Sequence, residues 1–271
     1  MASDGMSFDK YIDNPSGGAS VMTNRQMYKA MYKEKYDNVM LRENGQINFT
    51  IYKSDDSNDS YYIHFKIPSE VIEKFYYDVV VRLFTVENAK KSEGTLRKYA
   101  VQFYANDPAF VYTFAHSFSK NNLFIADLAP KMSKKALKDK AEVRNPKDDV
   151  WYVKSLYFAY LTMEAKNLFS RVVLNSAAKK YSARTLLAQI AQADLKVSQR
   201  QAAQEKLNEE KRKAKQKEAR ANDRARISML GGKATTRTKM VKTVGMSKTT
   251  AKSSMVKTTA RKKSFSSRGD R

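Results

Sequence analysis

All but one of the aromatic residues of this chain lie in its first 195 positions. Every tyrosine, the only tryptophan and every phenylalanine except Phe265 lie there, in a segment with 28 basic and 22 acidic residues. A chain folds only where it buries enough apolar surface to offset the conformational entropy lost on ordering. This distribution therefore predicts a hydrophobic core within residues 1–195, a length that suits one domain better than two.

The last 76 residues, Lys196 to Arg271, have the opposite composition. They hold 23 of the 51 lysines and arginines and six of the 28 acids, so they carry +17 of the net charge of +23. A one-signed excess of this kind is typical of a segment that binds a polyanion. It favours nucleic acid, while solubilisation alone, an acidic protein surface or an anionic membrane are the alternatives. A membrane is disfavoured because few large apolar residues could insert.

The pattern of apolar residues predicts an α+β core domain over residues 24–180. A spacing of three to four residues from Arg25 indicates a helix that ends before Gly45, with its Met and Tyr stripe in the core. Alternating residues then predict a hairpin with strands at 47–52 and 61–67, in which Tyr61, Ile63, Phe65 and Ile67 share one face and His64 lies on the other. Residue types typical of strands predict two more at 76–86 and 99–104. We therefore expect a small antiparallel sheet of about four strands packed with helices.

Helix-start signals follow the predicted sheet. Asp107 can cap a helix in which Pro108 takes the first position, and a second, longer helix is predicted to open at Asn145-Pro146 and to run through Phe169. From Ser182 the sequence predicts one long charged helix, whose apolar stripe ends after Leu207. Beyond that point the helix should lie in solvent or on a partner.

Four regions result from these patterns. We expect a flexible N-terminal arm at 1–23, the core domain at 24–180, the long charged helix at 181–230 and a disordered basic tail at 231–271. The arm is small, polar and rich in glycine. The tail contains a degenerate repeat, MSKTTA at 246–251 and MVKTTA at 255–260, with no helix or strand period.

The basic tail is the predicted nucleic-acid-binding segment. Spaced lysines and arginines displace counterions from phosphates, and the hydroxyls between them bond phosphate oxygens without reading bases. We therefore predict non-specific contact with DNA or RNA. The candidate contact residues are Lys233, Arg237, Lys239, Lys242, Lys248, Lys252, Lys257, Arg261, Lys262, Lys263 and Arg268.

No pattern in the sequence predicts catalysis or a cofactor. The chain has no cysteine, and neither His64 nor His116 is accompanied by an acid and a nucleophile at a catalytic spacing. His116 and Ser117 are neighbours on a helix and so do not face each other. We expect both histidines to be structural and the protein not to be an enzyme.

Two further patterns favour structural roles. Asp55, Asp56 and Asp59 do not fit a calcium loop, which requires glycine and glutamate where this chain has Ser60 and Lys66, and they are predicted turn residues. Tyrosines interleaved with lysines, as in Tyr152, Lys154, Tyr157 and Tyr28, Lys29, Tyr32, could stack on bases, but their helical spacing favours core packing. No apolar stretch suits a signal peptide or a membrane span, so a soluble intracellular protein is expected.

Several structural motifs carry a resemblance. They are YAVQFYANDPAFVYTF at 99–114, KKAL at 134–137, VRNP at 143–146 and SLYFAYL at 155–161. Over about residues 45–180 the chain resembles virion-associated proteins of tailed bacteriophages, as it does in its polar N-terminus and basic C-terminus. The resemblance implies a non-enzymatic structural component, with particle assembly or contact with packaged DNA as its context. It assigns no functional residue.

Together these observations predict a non-enzymatic structural or assembly protein of a bacteriophage particle, in the capsid, the head-to-tail connector or the tail. Its expected partners are nucleic acid, other virion proteins and further copies of itself in an oligomeric assembly, without a membrane. Its expected location is the virion, and the host cytoplasm during assembly. The alternative is a nucleic-acid-binding accessory protein, acting on DNA or RNA, that is not part of a virion.

Overall fold

A five-stranded sheet organises the part of the chain that the computed structural model describes, residues 5–13, 24–55, 59–85, 95–150 and 153–229. The strands are β1 Asn48–Lys53, β2 Tyr61–Pro68, β3 Tyr76–Phe84, β4 Ala100–Ala105 and β5 Lys179–Lys180, in the order β4-β3-β2-β1-β5. Four are antiparallel, as predicted. The short β5 adds a parallel pair with β1 at Tyr52 and Lys53, which was not expected because two residues show no alternation.

Helices complete the α+β fold that the sequence predicts. The α-helices are α1 Phe8–Asp13, α2 Asn24–Arg42, α3 Ala115–Lys120, α4 Lys134–Lys138, α5 Lys154–Ala165, α6 Arg171–Ala177, α7 Ala183–Gln189 and α8 Ala193–Met229. A π-helical turn at Phe110–Phe114 precedes α3, and 3₁₀ turns lie at Leu96–Lys98 and Ala126–Lys131. The chain divides after Lys217 into two units, and residues 218–229 of the second unit are described.

The two faces of the sheet differ in chemistry because side chains alternate along each strand. Tyr61, Ile63, Phe65 and Ile67 share one face, as predicted, and each is at most 1% exposed. The opposite face carries polar residues, and the strand register makes His64 a neighbour of Thr50 and Lys66 a neighbour of Asp78. The apolar face belongs to the hydrophobic core. The opposite, polar face also adds Tyr62, Val80 and Tyr104 to the core, and its polar residues form the candidate site.

Helix α2 packs Tyr32 and Tyr36 toward the core, as predicted. Tyr36 and Val39 are buried, and the ring of Tyr36 meets that of Phe158 edge-on at a centroid distance of 5.4 Å. Met31, which the sequence pattern also assigned to the core, is 53% exposed and lies on the outer side of the helix. Gly45 follows with a φ of +73°, a left-handed conformation that suits glycine at a helix end.

The prediction of a flexible arm over residues 1–23 is wrong for residues 5–13. Phe8, Tyr11 and Ile12 in α1 are fully buried, and the amide of Val101 donates to the carbonyl of Met6 at 3.0 Å. These three side chains lie at helical spacing and form one apolar face. The polar average of the 23-residue segment concealed them, and residues 14–23 lie outside the described part of the chain.

The capping prediction at Asp107 is confirmed. Its Oδ1 accepts hydrogen bonds from the amides of Ala109 at 3.0 Å and Phe110 at 3.1 Å. The helix start predicted at Asn145-Pro146 is wrong, because the Asn145 side chain exchanges hydrogen bonds with the backbone of Asp149 and closes a turn. The helix begins instead at Lys154 and ends at Ala165, before Phe169.

The predicted long helix is present but divided. Ser182 caps α7 through its hydroxyl, which accepts the Thr185 amide at 3.4 Å, as expected. The chain leaves the helix at Ile190, whose side chain is buried, and re-enters it at Ala193. Residues 208–228 of α8 are all exposed, which confirms that the apolar stripe ends after Leu207.

Candidate functional site

The predicted nucleic-acid contacts, Lys233 to Arg268, lie outside the described residues, so they remain a prediction. The described segment that leads into them is the exposed part of α8. Between 208 and 228 it carries eight lysines and arginines and four acids, a net charge of +4. Lys213 pairs with Glu209 at 2.7 Å, and Gln204 donates to Asn208 at 3.1 Å. Local pairs of this kind support a helix that has no apolar face.

A buried carboxylate is the centre of the candidate site on the polar face of the sheet. Asp78 Oδ1 accepts hydrogen bonds from His64 Nε2 at 2.9 Å and from Lys66 Nζ. Its Oδ2 accepts hydrogen bonds from Asn106 Nδ2 at 2.9 Å and from the Ala191 amide at 3.2 Å. One carboxylate therefore joins β2, the end of β4 and the junction between α7 and α8.

The electrostatics of this cluster favour the charged carboxylate. Burial by itself raises the pKa of Asp78, but hydrogen bonds from His64 and Lys66, together with their charges, outweigh it and lower the pKa to about 2. Lys66 also donates to the Gln189 carbonyl at 3.4 Å, and Asn106 donates to the Ala191 carbonyl at 3.4 Å. These bonds satisfy backbone groups that the break between α7 and α8 leaves without helical partners.

A groove of about 290 Å³ lies beside the cluster. His64 lines it together with Asn48, Phe49, Thr50, Lys66 and Gln189. Asp78 contacts His64 from the neighbouring strand, an acid partner that spacing along the sequence could not show. Alternation alone assigned His64 to the polar face, but only the register between β2 and β3 identifies Asp78 as its partner. Because Asp78 accepts four hydrogen bonds from separate elements, the His64–Asp78 pair is part of a structural junction.

A tyrosine pair connects the same face to the segment before α7. The rings of Tyr62 and Tyr181 stack at a centroid distance of 4.0 Å, and both hydroxyls donate to Asp127 Oδ2, at 3.1 and 2.9 Å. Burial is the main cause that raises the pKa of Tyr62 to about 12. Tyr62 and Tyr181 therefore act as neutral hydrogen-bond donors that hold the chain before α7 against β2.

The prediction that His116 and Ser117 do not form a pair is confirmed. His116 Nδ1 lies 3.1 Å from the Leu137 carbonyl, whereas the Ser117 hydroxyl accepts a bond from Asn145 Nδ2 at 2.9 Å. His116 also lines a second cavity, of about 250 Å³, between the π-helical turn and the α4 region.

The aspartates considered for calcium are held by cations and hydroxyls instead. Asp59 has a φ of +46°, as expected in a turn, and is 7% exposed. It pairs with Arg171 and accepts the Tyr99 hydroxyl at 3.1 Å. Asp55 pairs with Lys180 at 2.9 Å, and Asp56 lies outside the described residues. Within the described part of the chain, no group of three or more His, Cys, Asp or Glu side chains could hold a metal ion.

In the aromatic–lysine stretch at 152–157, the described residue Tyr157 is 2% exposed, as core packing predicts. Among the described helices, none has the combined length and hydrophobicity that crossing a membrane requires. No protein-family model, no curated protein and no solved structure matches this chain.

Proposed function

We propose that this protein is a non-enzymatic structural or assembly component of a bacteriophage particle, and that its basic C-terminal tail contacts nucleic acid non-specifically. The α+β body makes the protein contacts, with other virion proteins and with further copies of the chain. The basic tail contacts phosphates of the packaged nucleic acid or the negatively charged inner surface around it. The capsid, the connector and the tail of the particle all suit these contacts.

The distribution of charge is the observation that carries this proposal. Residues 208–228 form an exposed helix with a net charge of +4, and residues 231–271 after it hold 12 basic residues and one acid. The buried core, by contrast, ends at Val197. A polycation joined to a nearly neutral folded body suits phosphate contact without base readout.

The particle context rests on the resemblance to virion-associated proteins. Three of the four motifs coincide with β4, the Asp107 cap, α4 and α5, and the fourth, VRNP at 143–146, lies in the turn closed by Asn145. Such residues support a structural role because they determine packing and capping. The accessory-protein alternative shares the tail and differs only in the absence of a particle.

Deletion of Lys233 to Arg271 tests the nucleic-acid part. The full chain should bind a DNA duplex with an affinity that falls steeply with salt, because each neutralised phosphate contributes about 0.9 to the slope of log K against log salt. The truncated chain, which lacks the tail, should lose most of that affinity and most of that salt dependence. Fluorescence anisotropy with a labelled duplex at several salt concentrations measures both.

A chain whose tail residues are scrambled in order is the matched control. It keeps the charge of the tail, so it should bind the duplex as the unaltered chain does. An undiminished affinity of the truncated chain for the duplex would contradict the proposal. Equally, a scrambled tail that fails to bind would show that sequence, rather than charge, determines the contact.

Copurification tests the particle part. A structural component should appear in purified particles at a fixed ratio to the major capsid protein, and it should remain after nuclease and high-salt washes. Recovery only with bulk nucleic acid, and its loss after nuclease treatment, would favour the accessory-protein alternative. Quantitative mass spectrometry of gradient-purified particles gives the ratio.

A further inference from the structure

The cavity of about 250 Å³ beside His116 is separate from the Asp78 cluster. Helical residues 111–116 form one wall, and residues 133–141 form the other. Its volume is just below the range of about 300–1,000 Å³ that drug-sized ligands occupy. A flat group smaller than a drug, such as one aromatic ring system, therefore suits it.

Tyr112 is unusually exposed for an aromatic residue in this helical segment. It is 50% exposed and lines the cavity, whereas the adjacent Val111 is 1% exposed. Both residues lie in the π-helical turn Phe110–Phe114. Such turns are rare and occur frequently at functional sites, because the extra residue changes the direction of nearby side chains. The cavity thus has a partly exposed ring in its wall, available for stacking.

His116 contributes a polar group with a defined orientation. The Leu137 carbonyl can only accept a hydrogen bond, so His116 Nδ1 donates to it, at 3.1 Å. In the neutral ring, Nε2 is then an acceptor for a ligand N–H group. Thr113 and Ser133 add hydroxyls to the cavity lining.

The surroundings of the cavity are strongly basic. Residues 131–147 contain seven lysines and arginines and two acids, a net charge of +5. Lys135, Lys140 and one acid, Asp139, line the cavity, and Lys140 lies 3.6 Å from Asp148. Lys135 forms no ion pair with any described residue. An anionic group attached to the bound ring would therefore find a cation at the rim.

We propose that this cavity accepts one unstacked base of single-stranded nucleic acid. Tyr112 stacks on the base, His116 Nε2 accepts a hydrogen bond from it, and Lys135 contacts the adjoining phosphate. Aromatic stacking next to a basic rim is the usual means of binding single strands. The inference rests on the proposed function and adds a preference of the body for single strands, since bases within a duplex are not accessible.

The test compares two ligands of the full chain, a labelled oligothymidylate and a labelled duplex, at fixed salt. Tyr112→Ala should weaken binding of the single strand roughly 5- to 150-fold, the range expected from loss of one stacked base, and leave duplex binding unchanged. Tyr112→Phe keeps the ring and should keep the affinity. Because Tyr112 is half-exposed, its substitution should leave the fold intact. Circular dichroism of each variant verifies this.

A charge-matched pair gives a second measurement. Lys135→Gln should weaken single-strand binding more than Lys138→Gln, since Lys138 is exposed on the same short helix but does not line the cavity. Equal effects of the two variants would overturn the cavity assignment. So would an unchanged single-strand affinity of the Tyr112→Ala chain, the result expected if the cavity receives an aromatic side chain of a protein partner.

The outcomes separate this inference from the proposed function. Normal duplex binding by a Tyr112→Ala chain that also binds single strands normally would refute the cavity site and leave the tail's role intact. A full chain that binds neither ligand would refute both.

Discussion

At the scale of single residues, Asp78 connects separate elements of the described structure. Its carboxylate is 1% exposed and receives four hydrogen-bond donors, two of them from residues that can carry a positive charge. A buried charge is tolerated only when such partners replace the water it has lost. Removal of the carboxylate would cost His64, Asn106 and the Ala191 amide the hydrogen bonds that they donate to it.

Asp78→Ala should lower the free energy of unfolding by about 3 kcal/mol, the lower end of the range for breaking a buried charged pair, because Lys66 is exposed enough to be rehydrated. Urea unfolding followed by circular dichroism measures the change. Asp55→Ala is the control, since Asp55 and Lys180 are both largely exposed, and it should have no measurable effect. Equal stability of the Asp78→Ala and unaltered chains would show that the cluster does not hold the fold.

The stability contributed by Asp78 should depend on pH. Its pKa is about 2 in the folded chain, below the value of about 3.9 in unfolded chains. The contribution is therefore fully present above about pH 4 and is lost as the pH falls toward 2. Asp78→Asn should remove this part of the pH dependence. Part of the pH dependence should remain, because the pKa values of two other acids are also lowered. At Glu70, burial is outweighed by hydrogen bonding and charge from neighbouring lysines, chiefly Lys154, and a hydrogen bond from Lys120 lowers the pKa of Asp148. An unchanged slope between pH 4 and 2 would argue against the pairing.

At the scale of elements, the N-terminal helix α1 is part of the core, and contacts with the core divide the predicted C-terminal helix into α7 and α8. Phe8 in α1 contacts the ring of Phe169 at a centroid distance of 4.7 Å and that of Tyr160 at 5.9 Å. The break between α7 and α8 coincides with the burial of Ile190 and with the bond from Ala191 to Asp78. Packing, rather than local propensity, therefore accounts for the order of α1 and for the break between α7 and α8.

Phe8→Ala should destabilise the protein by roughly 3–5 kcal/mol, as expected for truncation of a fully buried phenylalanine. Lys10→Ala, on the exposed side of the same helix, should leave stability unchanged. Chemical unfolding of both variants distinguishes a packed helix from a loosely attached arm. In the latter case the two substitutions would have the same small effect.

At the scale of the whole molecule, apolar surface and charge are separated along the chain. The buried residues of the described part extend from Phe8 to Val197, whereas 208–228 are exposed. This separation allows a body to fold without its polycationic segment, since a segment with one aromatic residue in 41 adds little apolar area.

Deletion of Lys233 to Arg271 should therefore leave the urea midpoint of unfolding unchanged while it reduces DNA affinity. Mutual repulsion among the tail's cations could only favour the shorter chain, so any change should be a small increase. A lower midpoint would indicate that the tail packs on the body and would contradict the separation. The same purified variants serve for the binding and the unfolding measurements.

The sequence by itself determined that the core lies almost wholly within the first 195 residues, and it determined the four antiparallel strands, the Asp107 cap and the end of the apolar stripe at Leu207. These features depend on residues close together in the chain, whose spacing is visible as a period of two or of three to four. The charge of the tail is likewise a property of composition.

Only the tertiary structure decided which distant residues meet. Asp78 reaches His64 through the register of β2 and β3, and Ala191 reaches Asp78 through the packing of α7 on the sheet. The burial of α1, the turn at Asn145 and the exposed Tyr112 beside His116 have the same origin. Each depends on a contact between separate parts of the folded chain, or on side-chain hydrogen bonding that competes with a helix signal, and a local period records neither.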